Sequence, residues 1–168
     1  MKRDLSTQIL LGYVTFSILL ALASPHVSIA FPWISELPTV STLVGHGAAK
    51  SAVVAYFSVM WGLLPIFLLA MMIWSPKPTA VALRSRLDRL LFITFAAILT
   101  LPLFVWILCF FDPIASGPRV KAMLYLSTHS KMALGIIYGF AFDGLLILLF
   151  GVFFAFPRLW FLRMKEAA

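Results

Sequence analysis

The sequence predicts an all-α integral membrane protein with four transmembrane helices in a single domain, residues 1–168. Hydrophobic residues make up 62% of the chain and charged residues only 11%, whereas soluble domains are roughly 45–50% apolar and about 25% charged. A helix needs about 20 residues to cross a hydrocarbon layer of ~30 Å. The ten-residue alternating segments of a membrane β-barrel are absent. The apolar runs are Ile9–Ala23, Ala52–Trp74, Leu90–Phe111 and Met132–Phe156.

The first run, Ile9–Ala23, allows two interpretations. It follows a basic N-terminus and precedes small residues, an order typical of a cleavable signal peptide. Polar residues between Tyr13 and Ser17 interrupt its apolar core, and apolar residues continue as far as Trp33. We therefore favour a retained first helix, and the later spans keep the same orientation in either case.

Prolines and basic residues mark how the runs are connected. Pro25, Pro32 and Pro38 preclude one continuous helix across the first connection. Within this connection, Phe31–Ile34 is expected at the headgroup level, and Ser41 or Thr42 is expected to cap a helix that leads through Lys50 into the second span.

Similar punctuation is expected further along the chain. Ser75–Pro78 stops the second span, and the basic stretch Arg84–Arg89 leads into the third without a break. Asp112–Pro113 ends the third span, and the amphipathic stretch Arg119–Lys131 is expected in the membrane interface. Pro157 is expected to close the fourth span.

The net charge of +7 predicts an orientation and a membrane partner. If the N-terminus is cytoplasmic, nine Lys and Arg residues lie inside and four outside, which favours an N-in, C-in topology in a bacterial inner membrane. The same charges favour contact with anionic lipid headgroups. Nucleic-acid binding is disfavoured because no soluble basic face is present. The inside residues are Lys2, Arg3, Lys77, Arg84, Arg86, Arg89, Arg158, Arg163 and Lys165.

The second span carries small residues at the spacing of a helix-packing seam. They alternate at intervals of four and three residues, as in left-handed helix pairs. Small residues mark helix contacts in lipid because they let the backbones approach closely. The seam residues are Ser51, Ala55, Ser58, Gly62 and Pro65.

The fourth span carries a GxxxG unit, Gly135 to Gly139, followed at the next helical step by Asp143. The spacing places Asp143 on the face that approaches another helix, and predicts that its carboxyl does not face lipid. This unit serves either packing within the chain, which we favour, or self-association with a second copy.

Depth along the spans groups several polar groups and two prolines with Asp143. Each proline removes a helical hydrogen bond and so frees a carbonyl one turn earlier. The sequence therefore predicts a polar cluster near mid-membrane. Its members are Ser17, Ser58, Pro65, Thr100, Pro102 and Asp143.

Asp143 is the strongest indication of a site, because a carboxyl in mid-membrane is costly and is seldom kept without a use. Desolvation disfavours the charged form, so we expect a protonated side chain. Three roles remain open. It is a structural hydrogen-bonding group within the bundle, a group that binds a proton or transported cation, or the counterpart of a basic residue on a partner's helix.

Enzymatic function is disfavoured, and no cofactor is expected. The chain has no CxxC, HExxH or GxSxG motif. A metal site built from His26, Glu36 and His46 is less favoured than solvated interfacial histidines. The single cysteine, Cys109, lies among apolar residues that suppress the reactive thiolate.

The leading functional hypothesis is a non-enzymatic membrane protein that acts by helix contact with another membrane protein. An assembly subunit and an immunity protein against a membrane-active toxin are examples of such a role. The alternative is a small oligomeric transporter coupled to protons or cations through Asp143.

Overall fold

The computed structural model describes residues 5–74, 87–110 and 118–167, and within these ranges the chain is helical and has no strand. Four of its helices are long and apolar enough to cross a membrane, which confirms the predicted all-α membrane architecture. The helices are α1 Leu5–Ala23, α2 Pro38–Gly45, α3 Lys50–Trp74, α4 Leu87–Cys109, α5 Pro118–His129, α6 Lys131–Phe150 and α7 Phe156–Ala167. The four that can cross a membrane are α1, α3, α4 and α6.

The first three predicted runs agree with α1, α3 and α4 to within a few residues where their ends are described. The agreement follows from apolar length, since only segments of about 20 apolar residues can span the hydrocarbon layer. The predictions for Ser75–Pro78, for Arg84 and Arg86, and for Asp112–Pro113 lie outside the described residues.

The fourth helical segment does not end at Pro157, the residue that is predicted to close the fourth span. Helical backbone continues to Ala167 through a π turn at Gly151–Ala155. In this turn the Phe156 N–H donates to the Gly151 carbonyl, five residues earlier. Pro157 then lies in the first turn of α7, where proline's missing N–H and fixed φ are tolerated. The π turn therefore lets the chain pass a proline without leaving the helix.

The predicted helix from Ser41 or Thr42 through Lys50 is wrong. The helix α2 begins earlier, at Pro38, after the extended residue Leu37. It ends at Gly45, and Gly47 has a φ of 99°, in the left-handed region that glycine adopts without steric cost. The chain therefore turns sharply here before α3 starts.

The core lies between α1, α3 and α6. Ser17 and Ala21 of α1 are fully buried, and α1 packs mainly on α6. Aromatic rings fill the space between α3 and α6, with ring centroids 5.1–5.8 Å apart in edge-to-face pairs, a preferred geometry. These rings are Phe57, Trp61, Tyr138 and Phe142.

The helix α4 lies at the periphery, and only 6% of its most apolar window is buried inside the bundle. Its strongly exposed side chains include Phe92, Phe95 and Leu99. It packs on α6, where the Phe104 ring occupies the space beside Gly144. In a soluble protein such exposure would be unfavourable, but lipid tails are as apolar as these side chains.

The connection between α1 and α2 runs back along α3 instead of staying at the end of the bundle. The Phe31 N–H donates to the Ser58 hydroxyl at 2.9 Å, and the Trp33 ring lies 6.0 Å from that of Trp61. Ser58 and Trp61 are eight and eleven residues into α3, which corresponds to about 12 and 16 Å along its axis. We call residues 27–37 the re-entrant segment.

The short helix α5 covers most of the predicted interfacial stretch and presents Arg119, Lys121 and Met123 to the exterior. Ser130 separates it from α6 and caps the latter, since its hydroxyl accepts a hydrogen bond from the Ala133 N–H at 3.3 Å. This cap fixes where the fourth spanning segment begins.

Candidate intramembrane site around Asp143

Gly135 and Gly139 let α1 and α6 approach closely. A Cβ atom on Gly135 would lie 2.8 Å from the Ile18 Cα and 2.9 Å from the Ala21 Cβ, and one on Gly139 would lie 2.5 Å from the Ser17 hydroxyl oxygen. Real Cβ atoms do not tolerate such contacts. The GxxxG face is therefore covered by α1 of the same chain.

Ser17 joins three spanning helices at one point. Its hydroxyl donates to the Gly135 carbonyl of α6 at 2.8 Å and also shares a hydrogen bond of 2.7 Å with the Tyr56 hydroxyl of α3. Ser17 and Tyr56 are both fully buried. Since no water is available inside a bundle to replace these bonds, they hold α1, α3 and α6 in register.

Asp143 continues the same helical face but lies at its edge. Its side chain is partly exposed, whereas Gly139 one turn earlier is buried. Phe140 and Ile147 are three and four residues away on α6 and are exposed, at 60% and 44%. The residue therefore lies where the α1 contact gives way to the outer surface, and whether its carboxyl avoids lipid stays a prediction.

The carboxyl of Asp143 has no hydrogen-bond partner among the described residues. Its Oδ1 atom is buried and accepts no hydrogen bond. The nearby phenol of Tyr13, which interacts with Asp143 electrostatically, donates instead to the Met60 carbonyl at 3.2 Å. A buried polar oxygen without a partner is costly in a membrane protein.

The structure gives the other members of the predicted polar cluster different partners. Ser58 accepts from the Phe31 N–H, and Thr100 donates to the Ala96 carbonyl in its own helix at 2.6 Å. Pro65 and Pro102 are exposed on their helices. Although these groups were predicted at similar depth, their side chains point in different directions around their helices. They therefore do not converge on Asp143.

The small-residue seam of α3 serves mainly the re-entrant segment. A Cβ atom on Gly62 would lie 3.4 Å from the Phe31 ring, and Ser58 binds the Phe31 backbone. Ala55 is buried, but Ser51 and Pro65 at the two ends of the seam are exposed. The centre of the seam therefore packs against the re-entrant segment.

Sequence reasoning missed the roles of Tyr13, Tyr56 and Trp61. The two tyrosines supply hydroxyls to the core, and the Trp61 Nε1 atom is buried without a hydrogen-bond partner. Buried tyrosine and tryptophan usually find a partner for their polar atom. Their position well inside apolar runs could have marked these polar aromatic residues as candidates. The direction in which each side chain points could not be predicted, because it depends on which helices pack together.

The residues that the structure describes include no group of three His, Cys, Asp or Glu side chains that could hold a metal ion. His46 is bonded through its ring to the Thr42 carbonyl at 2.8 Å, and the His129 ring stacks on Tyr125. The buried Cys109 thiol is free. His46, Cys109 and His129 are all more than ten residues from Asp143 in the sequence.

Comparison of the chain with protein-family models, curated proteins and solved structures finds no match.

Proposed function

We propose that this protein acts by contact, within the membrane, between its helices and those of another membrane protein. The supporting observation is the position of Asp143, whose unpartnered carboxyl lies beside the exposed residues Phe140 and Ile147. We call these three residues the Asp143 face. A polar group contributed by a second protein would satisfy the carboxyl.

The Asp143 face is the side of α6 that remains for a partner, because α1 covers the neighbouring glycines. Gly135 and Gly139 pack against α1, so self-association through the GxxxG unit would require α1 to leave. A partner helix would instead lie on the outward side of α6. We expect the partner to carry a hydrogen-bond donor or a basic side chain at that depth, since apolar side chains cannot pair with a carboxyl.

The role of such a contact is that of an assembly subunit or of an immunity protein that blocks a membrane-active toxin. The charge distribution supports a bacterial inner membrane with both termini inside. These assignments are part of the proposal and share its test.

Site-specific photo-crosslinking in the native membrane tests the proposal. A photoreactive residue at Phe140 should yield a discrete protein adduct, and the same residue at Phe92, an exposed aromatic of α4, serves as the matched control. The adduct should persist with Asp143→Asn, which retains hydrogen bonding, and should disappear with Asp143→Leu. Equal yields in Asp143→Leu, or no protein adduct at Phe140, would overturn the proposal.

A second candidate function is proton- or cation-coupled transport, and the same unpartnered Asp143 carboxyl supports it. In this case the carboxyl would bind and release the coupling ion. Purified protein in liposomes should then conduct protons or cations, and Asp143→Asn should abolish the flux. Equal flux for Asp143→Asn and the wild type would exclude coupling through this residue.

A further inference from the structure

A cleft separates the re-entrant segment from the first turns of α3. Its volume is ≈ 570 Å³, comparable with ordinary ligand pockets. One wall comes from the beginning of α3 and the other from the re-entrant segment. Most of its surface is apolar, and its residues are Ala30, Phe31, Pro32, Ser35, Lys50, Ser51 and Val54.

Lys50 gives the cleft a positive rim. Its side chain is exposed, and the ammonium group forms no ion pair with a described residue. Glu36, the carboxylate next to Ser35, is not among the lining residues. The Ser35 hydroxyl donates to the Pro32 carbonyl, so it contributes no free donor. Lys50 is therefore the residue with a charged side chain among those that line the cleft.

Charge and apolar surface follow one another along the cleft in the direction of the α3 axis. Lys50 begins α3, and Val54 follows about 6 Å further along the axis. The Phe31 backbone is bonded still deeper, at Ser58. The cation is thus at the end of a spanning helix and the apolar lining extends from it toward the membrane centre. This order matches a headgroup followed by an acyl chain.

The re-entrant backbone supplies an independent argument. Ala30 lines the cleft and is exposed, and the structure gives its N–H group no hydrogen bond. Unpaired backbone is not tolerated against hydrocarbon. Phosphate and ester oxygens would accept from such groups, whereas a purely apolar occupant would leave them unpaired.

We propose that this cleft binds an anionic phospholipid from the leaflet at the Lys50 end of the bundle. The phosphate lies on Lys50, and one acyl chain lies between Phe31 and Val54. This site is separate from the Asp143 face, and it holds whether or not a partner protein binds there.

Native mass spectrometry of the detergent-purified protein tests the site with phosphatidylglycerol and phosphatidylcholine of identical acyl chains. Wild type should retain phosphatidylglycerol preferentially. Lys50→Gln should weaken phosphatidylglycerol binding about five-fold, the loss expected for one basic residue at an anionic lipid. Lys131→Gln is the matched control, because Lys131 is also exposed and also begins a spanning helix. It should bind as wild type does.

A second variant tests the apolar part of the cleft. Ser51 is exposed, so Ser51→Trp should fold normally while filling the cleft, and it should lose both lipids. Equal weakening by Lys50→Gln and Lys131→Gln would show general attraction to the charged bundle and overturn the proposal. Undiminished lipid binding by Ser51→Trp, or equal wild-type affinity for the two lipids, would also overturn it.

Discussion

Ser17 illustrates how one hydroxyl can determine the register of three helices. The sequence indicated that it lies in the first span and at roughly the depth of Asp143. It gave no indication that the hydroxyl faces Tyr56 and the Gly135 carbonyl. Rotation of each helix about its axis decides such contacts, and α1 has no strong one-sided apolar pattern because lipid and core are both apolar.

Replacing Ser17 by Ala should lower the free energy of unfolding by about 1 kcal/mol, because two interhelical hydrogen bonds are lost. Unfolding in mixed detergent micelles, followed by circular dichroism, measures the change. A double-mutant cycle with Tyr56→Phe should give a coupling of about 0.6 kcal/mol. Thr15→Ala is the control, since the Thr15 hydroxyl is exposed and bonds only within α1. A loss for Thr15→Ala equal to that for Ser17→Ala would contradict this prediction.

Gly135→Ala should destabilise the bundle by roughly 1–3 kcal/mol, since the added methyl meets the α1 backbone and forces the helices apart. Gly12→Ala is the matched control on α1, because a Cβ atom there has no neighbour within 4 Å. It should leave stability unchanged or raise it slightly, as alanine favours helix. The same micelle unfolding assay compares the two, and a neutral Gly135→Ala would show that the α1–α6 contact is looser than described.

At the scale of elements, apolar length predicted the spanning helices well, while proline was a poor guide to their ends. Pro38 starts α2, and Pro157 lies within a helix that continues beyond it. The three prolines of the first connection did exclude one continuous helix there. Its return along α3 was not predictable, because that depends on the pairing of Phe31 with Ser58, whose small side chain had been interpreted as part of a helix–helix seam.

Ser58→Ala should loosen the re-entrant segment, because it removes the acceptor for the Phe31 N–H. One neutral hydrogen bond contributes about 1 kcal/mol, so hydrogen exchange at the Phe31 amide should accelerate roughly five-fold. Exchange measured by mass spectrometry in detergent or nanodiscs checks this. Ser51→Ala, at the exposed end of the same seam, should leave the rate unchanged. Unaltered exchange in Ser58→Ala would contradict the described contact.

At the scale of the whole molecule, composition was sufficient to predict the class of protein. It was not sufficient to predict which polar groups lie close together. Depth alone grouped Ser58 and Thr100 with Asp143, although the structure bonds each of them elsewhere. Depth is one coordinate of a residue in a membrane bundle. The other, the direction a side chain faces around its helix, depends on which helices pack together.

If the proposed N-in, C-in orientation holds, it determines which ends of the bundle a membrane-impermeant thiol reagent reaches. With buried Cys109 replaced by Ala, Lys50→Cys and Lys131→Cys should react in intact cells. Lys165→Cys should react only after permeabilisation. The expectation follows from the excess of basic residues near the termini and in the central loop. The reverse labelling pattern would establish the opposite orientation.

The π turn at Gly151–Ala155 has a consequence for how the chain tolerates changes in length. A π turn closes over one more residue than an α turn, and here the Phe156 N–H reaches back to Gly151. Deleting one residue from this stretch would restore the α-helical bonding pattern while both flanking helices keep their facing sides. The same deletion within Gly135–Asp143 would rotate the rest of the helix by about 100°. At Gly151–Ala155 the deletion would instead place Pro157 inside an unbroken α-helix, where its ring meets the carbonyl four residues earlier, so the extra residue of the π turn is the length that Pro157 requires.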